Sequence, residues 1–185
     1  RSLCRRMLQM MVTYATDEGY RRMTIGTWSG NLQSIPLYKK VGFFWQPGLD
    51  VGMENYTPLL LNLPATKAFF TRTDWYRDFK RELAQVPDEQ QHPMMGETPV
   101  YLLRWAKDGD AIEAVIDRNS QGLTGLETAD FAAYATVAEP SPAQGISYPV
   151  HWHLHNKQDA SLTVQLKATG DAGVIVAYKT SLTLA

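Results

Sequence analysis

The sequence predicts an α+β protein built from three successive parts. Apolar residues recur every three or four positions over residues 1–17 and a strand-like alternation follows, which favours a mixed α/β region at residues 1–56. Proline and glycine are frequent over residues 85–99, so a helical connector with a linker is expected at residues 57–97. Short alternating segments then fill residues 98–185 and predict an all-β sandwich.

The first part is predicted to form a helix, a strand, a second helix and further strand structure. The first helix ends before Gly19, and a strand follows over residues 23–27. Ser34 is the predicted cap of the second helix, in whose first turn Pro36 is tolerated. Residues 43–56 then indicate one or two strands interrupted at a Pro-Gly pair.

The connector is predicted to contain a helix that begins near residues 62–66. Aromatic side chains at helical spacing form a broad stripe, which is typical of packing rather than of ligand binding. The stripe consists of Phe69, Phe70, Trp75, Tyr76, Phe79 and Leu83.

The last part contains seven predicted strands, and an Asp-Gly pair at residues 108–109 favours a tight hairpin between the first two. So many strands without a helix favour a sandwich. The strands are expected at residues 100–105, 112–117, 122–128, 131–137, 146–154, 161–168 and 174–184.

Composition and charge exclude several classes of protein. No apolar run approaches the roughly 20 residues of a membrane helix, so no membrane partner is expected. Seven Lys/Arg against two Asp/Glu give residues 1–43 a net charge of +5, which favours a phosphate-bearing ligand or simply reflects a solvated helix face. No long basic run follows, which argues against nucleic acid. The single cysteine, Cys4, indicates a reducing, cytoplasmic compartment.

Residues 31–43 carry the most specific pattern of the chain. They read Asn-Leu-Gln-Ser-Ile-Pro-Leu-Tyr-Lys-Lys-Val-Gly-Phe. With the helix and strand before it, this segment resembles the acyl-CoA site of the GNAT superfamily of N-acetyltransferases. The resemblance covers the C-terminal part of that domain, residues 1 to about 56. Residues 53–83 and 98–185 also look like the connector and the extra β-domain of some GNAT proteins.

The resemblance implies acetyl-CoA as co-substrate and assigns roles to particular residues. In the family, a glycine-rich loop and a helix start cradle the CoA pyrophosphate, and Arg1 and Ser2 fall on the end of that loop. We expect the rest of the loop, the first strands and the natural N-terminus to lie upstream. Asn31 and Ser34 fall on cofactor-binding positions, and Tyr38 on the general acid that protonates the CoA thiolate. The alternative is that Tyr38 is a packing residue and Asn31 a helix cap.

Two other groups are weaker candidates for chemistry. His151, His153 and His155 would share one face of a strand, yet three on one ion is poor geometry, so a polar stripe is favoured and no metal is expected. Cys4 has no paired histidine in view and is expected to be a packing residue.

We therefore predict an acetyl-CoA-dependent N-acetyltransferase for the parent protein, which acts on an amine of unknown identity by direct attack. Whether this chain alone is active stays open. The alternative is a non-catalytic binding protein whose β-sandwich carries the function, with Tyr134, Tyr148 and Trp152 as exposed aromatics for sugars or peptides. An incomplete core also favours self-association.

Overall fold

The computed structural model describes residues 2–48, 51–137, 143, 145–165 and 181–184. Helices are concentrated in the first half of the chain, and a 3₁₀ helix lies at Pro93–Met95. The helices are α1 (Ser2–Asp17), α2 (Ile35–Lys40), α3 (Thr57–Asn62) and α4 (Pro64–Arg72). The strands are β1 (Met23–Thr27), β2 (Phe43–Trp45), β3 (Val51–Asn55), β4 (Phe79–Lys80), β5 (Val100–Lys107), β6 (Asp110–Asp117), β7 (Gly122–Glu127), β8 (Phe131–Val137), β9 (Val150–Asn156), β10 (Leu162–Gln165) and β11 (Ser181–Leu184).

The first three strands form an antiparallel sheet in the order β1-β3-β2. Met53 in the central strand lies between Ile25 and Trp45 of its two neighbours. One face of this sheet packs against α1 through Leu8 and against α2 through Ile35. The predicted order of helix, strand and helix is confirmed, and the one or two strands predicted after α2 are the two strands β2 and β3. α2 packs against this three-stranded sheet.

Six strands form a second sheet in chain order, from β4 to β9, with every neighbouring pair antiparallel. The turn between β5 and β6 has positive φ at Asp108 (52°) and Gly109 (84°), as the Asp-Gly pair predicted for a hairpin. β10 and β11 form a separate two-stranded sheet. The α+β class and the strand-rich second half are confirmed, whereas the packing of two sheets as a sandwich stays a prediction.

One hydrophobic core joins the first half of the chain to the six-stranded sheet. Phe44 of β2 and Phe69 of α4 belong to the same buried cluster as Tyr101 and Trp105 of β5. Trp105 also donates a hydrogen bond of 2.7 Å from Nε1 to the carbonyl of Trp75. Helices α3 and α4 therefore share one core with both sheets, through Leu60 and Phe69.

The connector helix is shorter than predicted. α4 ends at Arg72, and Thr73 is extended. Asp74 Oδ1 then accepts hydrogen bonds from the amides of Tyr76 (2.9 Å) and Arg77 (3.0 Å). Such a side-chain turn competes with continued helix, so the aromatic residues after Asp74 do not share one helical face. Among the described residues no helix is long and apolar enough to cross a membrane.

Candidate functional site at helix α2

The turn between β1 and α2 is held by Asn31. Its Nδ2 donates a hydrogen bond of 2.8 Å to Thr27 Oγ1, and its Oδ1 accepts one of 3.3 Å from the Ser34 amide. Its own amide donates to the Trp28 carbonyl at 3.0 Å. The half-buried Asn31 side chain thereby ties the end of the strand to the start of the helix.

Ser34 occupies the cap position of α2 without making the cap hydrogen bond that we predicted. Its backbone already has helical dihedral angles, φ −88° and ψ −34°, rather than the extended ones from which a cap side chain reaches back to the first free amides. Asn31 instead accepts from the Ser34 amide. The Ser34 hydroxyl therefore does not cap α2.

Tyr38 lies on the side of α2 that packs against the three-stranded sheet. Its ring meets that of Phe43 edge to face, with centroids 6.3 Å apart and planes inclined by 63°. The side chain is half-buried and belongs to the periphery of the core that contains Ile35 and Met53. Tyr38 is therefore held in place by packing while part of its surface stays accessible.

The end of α2 requires the glycine of the Gly-Phe pair. Gly42 has φ +99°, and a Cβ atom there would lie 2.5 Å from Thr57 Oγ1 and 2.9 Å from Asn55 Oδ1. Asn55 Nδ2 also donates a hydrogen bond of 2.8 Å to the Val41 carbonyl. Because β3 approaches so closely, only glycine fits, and α2 stops at a fixed point relative to the sheet.

Lys39, next to Tyr38, is a buried charge that the sequence reading missed. Only 1% of the residue is exposed, and Nζ donates to the carbonyls of Ala84 and Val86 (2.7 Å for the latter) and to Asp88 Oδ1 at 3.0 Å. Burial lowers the pKa of the Lys39 ammonium, and its hydrogen bond to Asp88 opposes that effect. The sequence feature that could have indicated this burial is the position of Lys39 four residues after Ile35, on the same face of α2.

The Asp88 carboxylate contacts two buried cations, Lys39 and Arg81, and one backbone amide of β2. Its Oδ2 accepts a hydrogen bond of 2.7 Å from the Trp45 amide and lies 3.0 Å from Nη2 of Arg81. The Arg81 guanidinium sits 3.9 Å above the Phe44 ring, a cation–π contact. No local pattern in the proline-rich linker marks Asp88, so only the folded chain brings these groups together.

An open cavity of about 480 Å³ adjoins the outer side of α2. Two cations, Arg5 and Lys40, line it, and no acidic residue of the described ranges does. The other lining residues are Leu32, Gln33, Pro36, Leu37, Tyr76 and Leu83. Its volume lies within the range of small-molecule sites, and its two cations would attract an anionic ligand. Neither Tyr38 nor Asn31 is among the lining residues.

The remaining predicted positions divide into two groups. Arg1 and the side chain of Ser2 lie outside the described residues, although α1 begins at Ser2. Cys4 is exposed on α1 rather than packed. His151, His153 and His155 are exposed along β9, and within the described ranges no group of three potential ligands could hold a metal ion.

A second open cavity, of about 450 Å³, lies on the six-stranded sheet. Its two acids, Glu113 and Glu127, are directly opposite each other in the β6–β7 register. Arg104 pairs with Glu113, and Lys157 pairs with Glu127. Tyr134, predicted as an exposed aromatic, is instead buried, because its ring packs against the sheet and its hydroxyl donates to Glu127 Oε2 at 2.9 Å.

Of the two other predicted aromatics, Tyr148 is half-buried and Trp152 is exposed.

Comparison with known families gives a match over the first 43 residues. Residues 1–43 match the model of the acetyltransferase (GNAT) family, which covers α1, β1 and α2 and ends at Phe43, the first residue of β2. The chain therefore contains a partial GNAT segment. No curated protein and no solved structure matches the chain.

Proposed function

We propose that this chain is part of an acetyl-CoA-dependent N-acetyltransferase of the GNAT type. The family match over residues 1–43 is the observation that supports the proposal most strongly. The fixed geometry of that segment adds support, because Asn31, Gly42 and Lys39 hold both ends and the buried face of α2.

In the proposed reaction, the nitrogen of a neutral amine attacks the thioester carbonyl carbon and forms a tetrahedral intermediate. The intermediate collapses, the carbon–sulfur bond breaks, and the Tyr38 hydroxyl gives its proton to the departing thiolate. The amine loses a proton to solvent, and Tyr38 regains one. The half-buried ring of Tyr38 suits this role, since it is positioned by packing and still accessible.

Acetyl-CoA is proposed to lie along α2, with its phosphates toward the cationic end. The cavity beside α2 fits a ligand of this chemistry, because Arg5 and Lys40 are its charged walls and Leu37 is part of its apolar surface. We propose Arg1 and Ser2 at the pyrophosphate, with Asn31 and Ser34 near the pantetheine arm. Asn31 would use its second amide proton there, since its first is given to Thr27.

Calorimetric titration of acetyl-CoA into the 185-residue chain tests this proposal. We expect saturable binding, weakened in Lys40→Glu and unchanged in Lys107→Glu, an exposed lysine on the six-stranded sheet. Absence of binding, or equal binding by both variants, would contradict the proposed placement of the cofactor.

A non-catalytic binding function of the β-rich part is the second candidate. The cavity between Glu113, Glu127, Arg104 and Lys157 supports it, because polar groups of both signs converge on one open groove. In this reading residues 98–185 form a sandwich that holds the ligand. Under either function the single cysteine supports a reducing, cytoplasmic location.

A further inference from the structure

The Arg81 guanidinium is buried and has unused hydrogen-bond donors. The side chain is 7% exposed, and its Cζ lies 3.9 Å from the centre of the Phe44 ring. Nε, Nη1 and Nη2 are all buried, and none has a hydrogen-bond partner among the described residues. A guanidinium carries five N–H donors, and a buried charged donor without an acceptor costs free energy. Arg81 therefore lacks the acceptor that such a group normally has.

Asp88 does not supply that acceptor. Its Oδ2 lies 3.0 Å from Nη2 of Arg81, but this ion pair does not have the geometry of a hydrogen bond. The Asp88 oxygens accept instead from Lys39 Nζ (3.0 Å) and from the Trp45 amide (2.7 Å). Two buried cations thus share one carboxylate, which leaves one positive charge without a counterion.

An open cavity of about 480 Å³ adjoins this cluster, and Arg81, Lys39 and Asp88 all line it. Its volume lies within the range of small-molecule sites. Val86 and Leu102 give it apolar surface. Among the described residues it shares no lining residue with the cavity that we propose for acetyl-CoA, so it is a separate place on the molecule.

The charges around this cavity favour an anion. Two of its lining charges are paired with residues outside it, because Arg104 pairs with Glu113 and Glu89 lies 3.3 Å from Arg118. Lys80 forms no ion pair among the described residues. The lining cations are Lys39, Lys80, Arg81 and Arg104, and the lining acids are Glu82, Asp88 and Glu89. The cations therefore exceed the acids by one.

The cavity lies beside β2, at the end of the three-stranded sheet that is far from β1. β2 is an outer strand in the order β1-β3-β2. Asp88 covers its outer edge, because its amide donates to the Trp45 carbonyl at 3.0 Å and its side chain accepts from the Trp45 amide. Any strand that pairs with the free edge of β1 would be separated from Arg81 by β3 and β2.

We propose that this cavity binds a small molecule through a carboxylate or phosphate group, with Arg81 as its main ligand-binding residue. The planar fork of a guanidinium can donate to two oxygens of such a group at once. Lys80 is exposed on the same cavity and adds attraction for the anion. The bound oxyanion neutralises the excess positive charge, so its binding should stabilise the folded protein.

Thermal unfolding at constant ionic strength tests the proposal. The probes are sodium butyrate and inorganic phosphate, and butyramide is the neutral control with the shape of butyrate. A ligand that binds only the folded state raises the thermal midpoint in a saturable manner. We expect this shift with at least one anion and not with butyramide. The anion that saturates at the lower concentration identifies the group as a carboxylate or a phosphate.

Two variants locate the site. Arg81→Met removes the guanidinium but keeps an unbranched apolar side chain, and it should abolish the shift. Lys80→Glu changes an exposed residue, so it should fold, and it should raise the dissociation constant of the anion roughly tenfold. Lys67→Glu is the matched control, because Lys67 is exposed on α4 and does not line this cavity.

No saturable shift with either anion would overturn the proposal, and so would an equal shift in the parent and in Lys80→Glu. An equal shift with butyramide would also overturn it, because the binding would then not depend on the oxyanion. None of these measurements uses acetyl-CoA, so they are independent of the proposed acetyltransferase activity.

Discussion

The ring of Phe44 on β2 stacks on the ring of Tyr101 on β5, with centroids 4.8 Å apart and planes inclined by 19°. Both side chains are almost fully buried. This contact joins the sheet that carries the GNAT-like segment to the six-stranded sheet. The two halves of the chain are therefore expected to depend on each other for stability.

Truncation of this stack should destabilise the whole protein. Phe44→Ala removes a buried ring from the shared core and should lower the free energy of unfolding by about 3–5 kcal/mol. Denaturant unfolding followed by near-ultraviolet and far-ultraviolet circular dichroism gives the measurement. Two separate transitions, with only one of them shifted, would show that the halves fold independently.

Removal of the Tyr101 hydroxyl should not destabilise the protein. This hydroxyl is buried and has no hydrogen-bond partner among the described residues, so Tyr101→Phe removes an unsatisfied polar group. Tyr134→Phe is the matched control, because its hydroxyl donates to Glu127, and it should lower stability by about 1 kcal/mol. Thermal unfolding of the two variants compares them directly. The reverse order of stability would indicate that Tyr101 has a partner.

Loss of Asp88 should be severe. Asp88→Ala leaves Lys39 and Arg81 as buried cations without their shared carboxylate, and we expect a loss of about 3–5 kcal/mol in the free energy of unfolding. Glu97→Ala, at an exposed acid, should have little effect. A loss below about 1 kcal/mol for Asp88→Ala would mean that the loop at residues 84–88 is not held to α2 by this group.

The ion pair of Glu127 predicts a dependence of stability on pH. The hydrogen bond from Lys157 lowers the pKa of the Glu127 carboxyl, and that from Tyr134 adds to the effect. A carboxyl with a depressed pKa stabilises the fold above its unfolded pKa, about 4.3, and loses this contribution as the pH falls through the folded value. The stability difference between the parent and Glu127→Gln should therefore be largest at neutral pH and shrink in acid. Denaturant unfolding of both proteins at neutral and at acidic pH gives the measurement. A stability difference that grows in acid would contradict the lowered pKa of Glu127.

Tyr38→Phe tests the proposed general acid in an active acetyltransferase that contains this segment. Turnover should fall by about 10²–10⁴-fold while acetyl-CoA affinity stays the same, because only the proton donor is removed. Tyr20→Phe, at an exposed tyrosine outside α2, should leave turnover unchanged. Unchanged turnover in Tyr38→Phe would eliminate its catalytic role.

Metal removal should leave the fold unaltered. His151, His153 and His155 are exposed on one face of β9, where each imidazole can be hydrated without a metal. Incubation with EDTA should therefore not shift the thermal midpoint. A lower midpoint in EDTA that zinc restores would revive a metal site on this strand.

The sequence by itself determined the local elements and the family resemblance. The three-and-four spacing in α1 and the alternation in β1 record which side of each segment is apolar. The Asp-Gly pair at residues 108–109 records a backbone conformation with positive φ that a tight hairpin needs. The residue pattern around α2 predicted the resemblance to the GNAT family, and the family match over residues 1–43 confirmed it. The predicted helical stripe was wrong beyond Arg72, where α4 ends. The residues that follow form a turn held by the Asp74 side chain.

Only the tertiary structure decided which faces of these elements meet. Lys39 reads locally as a surface lysine, yet it is buried because a loop more than 40 residues away supplies three acceptors for its ammonium. Tyr134 reads as exposed, yet its sheet neighbours cover it. Long-range burial depends on surfaces brought together by the whole chain, and periodicity within one segment carries no record of them.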